Sequence, residues 1–221
     1  MAHYPLQNPM RDKLLAGQVS LGGWSLSANA LLAENGLAAL PQGQVAGFVG
    51  LGERVFLDRL IAATALDPRA YDDLMARFLE LYVAQSRDTV LFPHVSDVLS
   101  AFRAGGVSLG LCTNKPSGPL HAVIEATGLA GVFGAVVAGD TLAVRKPDPA
   151  PLLHAFAGLG APGGLYVGDS PVDSETARRA GVPFALFTEG IRDVPLSEIP
   201  HDAAFSDMRE LPDIYAALTG D

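Results

Sequence analysis

The chain has 221 residues, of which 49% are hydrophobic and 18% are charged, so it can bury a sizeable core. Its formal net charge of −9 argues against nucleic acid as a partner, because the phosphates would be repelled. No apolar run is long enough to span a bilayer and no signal-peptide pattern opens the chain, so we expect a cytoplasmic protein without a membrane partner.

Residues 27–86 have the pattern of a helical segment. Helices are predicted over 28–35, 53–65 and 69–85, and the last carries an apolar stripe at helical spacing that is typical of a core-facing helix. Between the first two helices, the glycine-rich residues 47–52 follow no predicted strand. They therefore predict a flexible loop near a substrate better than they predict a phosphate cradle.

From residue 91 onwards, helices and strands alternate. Short apolar runs flanked by helical patterns are typical of buried parallel strands. Predicted strands cover residues 107–112, 135–138, 164–168 and 184–187, and predicted helices cover 94–104, 119–127, 149–159 and 172–180. This alternation predicts an α/β fold with a doubly wound, parallel, Rossmann-like sheet.

Three polar stretches lie after these strands or in the loops between them. Thr113 and Asn114 follow one strand directly, Lys146 lies in a proline-rich loop, and Asp169 and Asp173 follow another strand. Ligands bind beyond the carboxyl ends of parallel strands, so we expect these residues to point into one crevice. A hydroxyl, a cation and two carboxylates are the groups that a magnesium-dependent phosphate site uses. Each stretch alone would also suit a turn, a helix cap or a solvated loop, but their joint order favours the site.

These stretches carry a family resemblance. From about residue 30 to the end, the chain resembles a phosphatase of the haloacid dehalogenase superfamily, of the phosphoglycolate phosphatase type. Residues 109–115, 145–147 and 168–173 are similar to that family's second, third and fourth motifs. The resemblance implies a hydrolase that uses Mg²⁺ and acts on a small phosphorylated metabolite such as 2-phosphoglycolate.

The resemblance also assigns roles to individual residues. Thr113 would bind the phosphate with Asn114 beside it in the substrate site, and Lys146 would balance charge between nucleophile and phosphate. Asp169 would hold magnesium, and Asp173 would support it in the metal site. Thr113 and Lys146 are thus the expected catalytic residues.

The first motif of this family is absent. Family members begin with an apolar strand that ends in Asp-x-Asp-Gly-Thr, whose first aspartate attacks phosphorus, and no such segment occurs in the chain. Asp12 has no apolar strand before it and no second carboxylate two residues later, so we expect an exposed charge at a helix start. Without the nucleophile, the remaining motifs should still bind phosphate, but the protein should show hardly any catalytic turnover. A non-catalytic phosphate-binding or interaction protein, or an inactive gene-fusion product, is the alternative.

The predicted organisation has three parts: an atypical segment at residues 1–29, a helical cap at 30–88 and a Rossmann-like core at 89–221. The first segment resembles the opening of 2-dehydro-3-deoxyglucarate-type pyruvate aldolases, without their catalytic residues. In the phosphatase family the first strand is central in the sheet, and residues 18–26 could replace it as a strand. His3 is expected in a disordered start.

Two points complete the predictions. The only cysteine, Cys112, lies inside an apolar strand, so we expect a buried hydrophobic residue rather than a nucleophile. The histidines have no partners at metal-ligand spacing, which favours surface or capping roles. The sequence leaves the oligomeric state open.

Overall fold

The computed structural model describes residues 3–5, 19–161, 163–190 and 194–220. Within these ranges there are six short strands and nine α-helices. The strands are β1 (His3–Pro5), β2 (Ser108–Cys112), β3 (Ala135–Val137), β4 (Tyr166–Gly168), β5 (Phe184–Phe187) and β6 (Ala203–Phe205). The helices are α1 (Val19–Glu34), α2 (Gln42–Ala46), α3 (Glu53–Ala63), α4 (Tyr71–Ser86), α5 (Val95–Ala104), α6 (Ser117–Ala126), α7 (Ala150–Gly158), α8 (Pro171–Ala180) and α9 (Leu211–Thr219). No helix in these ranges is long and apolar enough to cross a membrane.

All the strand pairs are parallel. They form two ladders, in the orders β1-β2-β3 and β4-β5-β6, and β1 also contacts β4. Strand β5 shows why helices cover both faces: Ala185 and Phe187 pack with α5 and α9, whereas Phe184 and Leu186 pack with α7 and α8. Side chains of a strand alternate between its faces, so a run that is apolar throughout needs cover on both sides. The prediction of a doubly wound parallel sheet is confirmed.

Helices α1 to α4 form a separate helical layer, which we call the cap. Its core centres on Trp24, whose ring lies 4.4 Å from that of Phe56, 4.5 Å from Tyr82 and 5.6 Å from Phe78, measured between centroids. The apolar stripe predicted on residues 69–85 supplies two of these rings. That stripe therefore faces the core of the cap.

The N-terminal residues differ from the predictions in two ways. His3 lies in a strand and not in a disordered start, because β1 pairs with β2 in the register His3 to Ser108 and Pro5 to Gly110. The predicted strand over residues 18–26 is wrong in its described part, since α1 begins at Val19. The physical reason is burial of one helical face: Trp24, Ala28, Leu31 and Leu32 are buried in the cap at helical spacing.

Helix α1 runs through the boundary predicted between residues 29 and 30. Asp12 and most of the segment that resembles an aldolase lie outside the described residues. The strand beside β2 is therefore formed by residues 3–5, near the start of that segment.

Candidate active site

Lys146 connects the three polar stretches. Its Nζ lies 2.9 Å from Asp173 Oδ1, 3.1 Å from the hydroxyl of Tyr166 and 3.4 Å from the carbonyl oxygen of Cys112. The side chains of Lys146 and Asp173 are both 0% exposed. A buried ammonium is tolerated only when it is paired and hydrogen-bonded, and both conditions hold here. The loop that carries Lys146 is thus tied to the end of β2 and to the start of α8.

Asp173 is fixed by the first turn of α8. Its Oδ2 accepts hydrogen bonds from Ser170 Oγ at 2.6 Å, from the Asp169 N–H at 3.1 Å and from the Ser170 N–H at 3.2 Å. Ser170 is the N-cap residue of α8, and its Oγ accepts in return from the Asp173 N–H, which completes a capping box. Pro171 at the first helical position agrees with the predicted helix start. Both oxygens of Asp173 are therefore engaged within the protein.

Asp169 lies directly after β4 and is 7% exposed. A side chain at Gly190 would overlap the Asp169 carboxylate, so the loop after β5 approaches this group as closely as a glycine permits. Magnesium usually takes one or two protein carboxylates and completes its shell with waters and substrate oxygens. Asp169 fits this pattern as a single carboxylate at the end of a strand. Among the described residues, no three His, Cys, Asp or Glu side chains form a cluster that could hold a metal alone.

Thr113 and Asn114 form the turn after β2. The Thr113 N–H donates to the Val137 carbonyl at 2.9 Å, and Thr113 Oγ1 accepts from the Lys115 N–H at 3.1 Å. These bonds leave the hydroxyl proton of Thr113 and the backbone N–H of Asn114 without an acceptor in the described part of the chain. Both groups are buried, Thr113 at 1% exposure and Asn114 at 4%. Two donors without an acceptor in these ranges, directly after the carbonyl that Lys146 Nζ contacts, are suited to a phosphate oxygen.

The side chain of Asn114 has a different task from its backbone. Its Oδ1 accepts from the Lys146 N–H at 3.0 Å and its Nδ2 donates to the Lys146 carbonyl at 3.0 Å. The amide thus holds the backbone of Lys146 from both sides. Two hydrogen bonds to the backbone of one residue restrict the position of its side-chain ammonium group.

Cys112 precedes Thr113 and has no exposed surface. Burial raises the pKa of its thiol to about 12, although nearby Lys146 acts in the opposite direction. The thiol therefore stays protonated near neutral pH, and a thiolate nucleophile is excluded at this position.

The cap contacts the site through two of its elements. The carbonyl of Gly50 accepts from Asn114 Nδ2 at 3.3 Å, so the glycine-rich loop of residues 47–52 does lie beside the site. Lys115 Nζ hydrogen-bonds the hydroxyl of Tyr82 on α4 and lies 4.2 Å from the centroid of its ring. Both contacts join the cap to residues that follow β2.

A third contact joins the cap to the loop of Lys146. Glu53, the first residue of α3, pairs with Arg145 at 2.5 Å between Oε1 and Nη2, and Arg145 Nε donates to the Gly139 carbonyl at 2.7 Å. Sequence reasoning missed Glu53, Tyr82 and Tyr166 as residues of this region. Arg145 belongs to the motif-like stretch 145–147, whose sequence gives no sign of this contact. The one signal for Glu53 was its position after a glycine-rich loop at a helix start.

The sequence that follows β1 has no carboxylate before Asp12. Residues 6–11, which follow β1, include no aspartate or glutamate. The nearest carboxylate downstream is Asp12, which lies outside the described residues.

Comparisons with known proteins place the chain among hydrolases. The family model described as haloacid dehalogenase-like hydrolase matches residues 20–187. A phosphoglycolate phosphatase of Cereibacter sphaeroides is 42% identical over 195 residues, which cover 87% of this chain and 89% of that protein. The crystal structure of a predicted phosphoglycolate phosphatase from Haemophilus somnus has a TM-score of 0.81 and 26% identity, covering 88% of this chain and 91% of that one. CbbY from Rhodobacter sphaeroides, in complex with phosphate, shares the fold with a TM-score of 0.79 and 19% identity, and covers 94% of each chain.

Proposed function

Because this chain belongs to the haloacid dehalogenase-like hydrolase family, we propose that it is a magnesium-dependent phosphatase of the phosphoglycolate phosphatase type. Its substrate is a small phosphate monoester. The first candidate is 2-phosphoglycolate, because a relative of 42% identity is named phosphoglycolate phosphatase. Its turnover is impaired by the missing first motif.

One observation carries the proposal: two donors of the turn after β2 have no acceptor among the described residues. The Thr113 hydroxyl and the Asn114 N–H directly follow Cys112, whose carbonyl oxygen lies 3.4 Å from Lys146 Nζ. The two donors can bind phosphate oxygens, and the nearby ammonium offsets part of the phosphate charge. Fixed donors and a fixed cation stabilise the charge that spreads over the phosphoryl oxygens during transfer. The protein's net charge of −9 repels anions, so the local arrangement has to supply the attraction.

Within this proposal each residue has one task. Thr113 and the backbone of Asn114 bind phosphate oxygens, and Lys146 neutralises their charge. Asp169 would hold magnesium, which when bound would neutralise part of the phosphate charge. Asp173 supports the metal site and serves as the counter-ion of Lys146. That Asp173 also coordinates the ion directly stays a prediction.

A second candidate follows from the absence of a carboxylate in residues 6–11. A carboxylate nucleophile splits phosphate hydrolysis into formation and breakdown of an acyl phosphate, and neither step can occur without it. The same scaffold would then be a phosphate-binding protein without catalysis. The two candidates share the binding site and differ in turnover.

The test is release of phosphate from 2-phosphoglycolate with and without Mg²⁺. Typical enzymes turn over at about 10 s⁻¹, and losing a nucleophile costs about 10⁶-fold, so we expect a magnesium-dependent rate of about 10⁻⁵ s⁻¹. Thr113→Val should abolish this rate, whereas Thr219→Val, which removes a hydroxyl bonded to the Tyr215 carbonyl on α9, should not. A wild-type rate near 10 s⁻¹ would contradict the impairment. Intact phosphate binding with no release would establish the second candidate.

A further inference from the structure

The ion pair between Glu53 and Arg145 lies at the boundary between the cap and the core. The Arg145 side chain is 22% exposed and that of Glu53 is 9% exposed, so the pair is largely but not fully withdrawn from solvent. Arg145 is the residue before Lys146, and its guanidinium lies against Gly52, where an added Cβ would overlap it. The guanidinium is thus placed between the loop of Lys146 and the cap.

This pair is an incomplete one. A guanidinium and a carboxylate can form two parallel hydrogen bonds, but Arg145 contacts only Oε1 of Glu53. The other oxygen, Oε2, is buried and has no hydrogen-bond partner in the described residues. A buried acceptor without a donor is unfavourable, so Glu53 is a poor partner for this arginine.

The position of Arg145 suits the part of the substrate that is not phosphate. A phosphate bound by Thr113 and Asn114 next to Lys146 would extend its organic group towards the cap, because the cap contacts this site through Gly50 and Tyr82. Arginine is the side chain that best matches a planar carboxylate, through two parallel N–H donors.

We propose that Arg145 is a specificity residue that binds the carboxylate of a carboxylated phosphate monoester. Glu53 pairs with the same guanidinium, and the ligand carboxylate displaces it. This inference rests on the proposed phosphate site and names the substrate class that the site selects. Arginine then favours a ligand with a carboxylate over an otherwise similar phosphate ester.

The test compares three ligands by calorimetric titration in the presence of Mg²⁺: inorganic phosphate, ethyl phosphate and 2-phosphoglycolate. Ethyl phosphate has the phosphate and a two-carbon group but no carboxylate. For the wild-type protein we expect 2-phosphoglycolate to bind about tenfold more tightly than ethyl phosphate, as a charge-assisted pair of hydrogen bonds would give. If the ester is hydrolysed during titration, the ratio of kcat/KM values for the two esters replaces the ratio of Kd values.

Variants separate this role from a structural one. Arg145→Met should lower the affinity for 2-phosphoglycolate about tenfold to that for ethyl phosphate, while affinities for the other two ligands stay unchanged. Glu53→Gln should increase the preference for 2-phosphoglycolate over ethyl phosphate about threefold, because the competing charge is gone. The control is Glu80→Gln, which breaks an exposed ion pair with Arg77 inside the cap and should change no affinity.

The outcomes that contradict the inference are distinct from those that contradict the phosphate site. If Arg145→Met lowers the affinity for all three ligands equally, or if Glu53→Gln lowers the preference for 2-phosphoglycolate over ethyl phosphate, the ion pair only stabilises the contact between cap and core. If the wild type binds inorganic and ethyl phosphate but does not prefer 2-phosphoglycolate, the specificity role is wrong and the phosphate site stands. If none of the three ligands binds, the proposed function itself fails.

Discussion

Replacing Asp173 by Asn would leave the Lys146 ammonium buried without its counter-ion. In the native protein the two charged atoms are 2.9 Å apart and both side chains are 0% exposed, so solvent cannot compensate for the loss. The Tyr166 hydroxyl and the Cys112 carbonyl would remain as neutral partners of the ammonium. Whichever way the Asn amide turns, its NH2 group would face donors, either the Lys146 ammonium or the N–H groups that now point at Asp173 Oδ2. Removing one partner of a buried ion pair costs about 3–5 kcal/mol of stability.

The assay is equilibrium unfolding in urea. With a slope of about 2–3 kcal/mol per molar, the expected loss lowers the midpoint by about 1–2 M. The double variant Lys146→Met with Asp173→Asn removes both charges and should be clearly more stable than the sum of the two single losses predicts. Asp97→Asn is the control, because its side chain is 87% exposed. A loss below about 1 kcal/mol for Asp173→Asn, or strict additivity in the double variant, would refute this reasoning.

Three further predictions concern Cys112, Gly190 and His94. Burial raises the pKa of the Cys112 thiol to about 12. At pH 8 this thiol should therefore react with an aromatic disulfide reagent at least about 10³-fold more slowly in the folded protein than in the urea-unfolded chain. Equal rates in the two states would contradict its burial. The protonated thiol contributes stability that is complete below the unfolded pKa, near 9, and is lost as pH rises towards 12. Gly190→Ala should lower stability by about 1–3 kcal/mol and weaken phosphate binding measured with Mg²⁺, because its Cβ would overlap the Asp169 carboxylate. The control is Gly43→Ala, whose Cβ would meet open space and which should change stability by no more than about 0.5 kcal/mol. Similar behaviour of the two variants would contradict the close approach of Gly190 to Asp169. His94 has a φ of 66°, a backbone conformation that glycine adopts more easily than histidine. His94→Gly should therefore leave the free energy of unfolding unchanged or raise it by up to about 1 kcal/mol, measured as a thermal midpoint that stays the same or rises. A fall of more than about 1 kcal/mol in the free energy of unfolding would show that the His94 side chain stabilises the turn.

The core could be predicted from sequence because its signals are local. Apolar runs such as Phe184–Phe187 and the helix start at Pro171 depend on neighbouring residues alone, and the rule that ligands meet the carboxyl ends of parallel strands connected Thr113, Lys146 and Asp169. The short elements α2, β6 and α9 were missed. Strand β6 has the sequence Ala-Ala-Phe and lacks the β-branched valines that mark β3 and β4.

The N-terminal residues show where local reasoning fails. Residues 18–26 include valine, leucine and tryptophan, which suit a strand, but burial of Trp24 between Phe56 and Tyr82 favours a helix over the described part. Tertiary packing overrides propensity when a large side chain can be buried fully. Strand β1 has only three residues, and no periodic pattern could reveal it.

The candidate site shows a similar division. The residue types of the three stretches predicted a phosphate site, but not which group of each residue would be available. Asn114 uses its side chain to hold Lys146, whereas its backbone N–H has no acceptor in the part of the chain that the structure describes. The pairing of Asp173 with Lys146 joins residues far apart in sequence. The contact between Glu53 and Arg145 likewise depends on how the cap lies on the core, which no local pattern encodes.

The central claim is that Thr113, Asn114 and Lys146 form a phosphate-binding site. Calorimetric titration of the wild-type protein and Thr113→Val with inorganic phosphate tests it most directly, because binding does not require the missing nucleophile. The account predicts one phosphate bound per chain and an affinity that falls about tenfold in Thr113→Val, as loss of one charge-assisted hydrogen bond would give. Absence of phosphate binding by the wild type, or equal affinity in the variant, would contradict it.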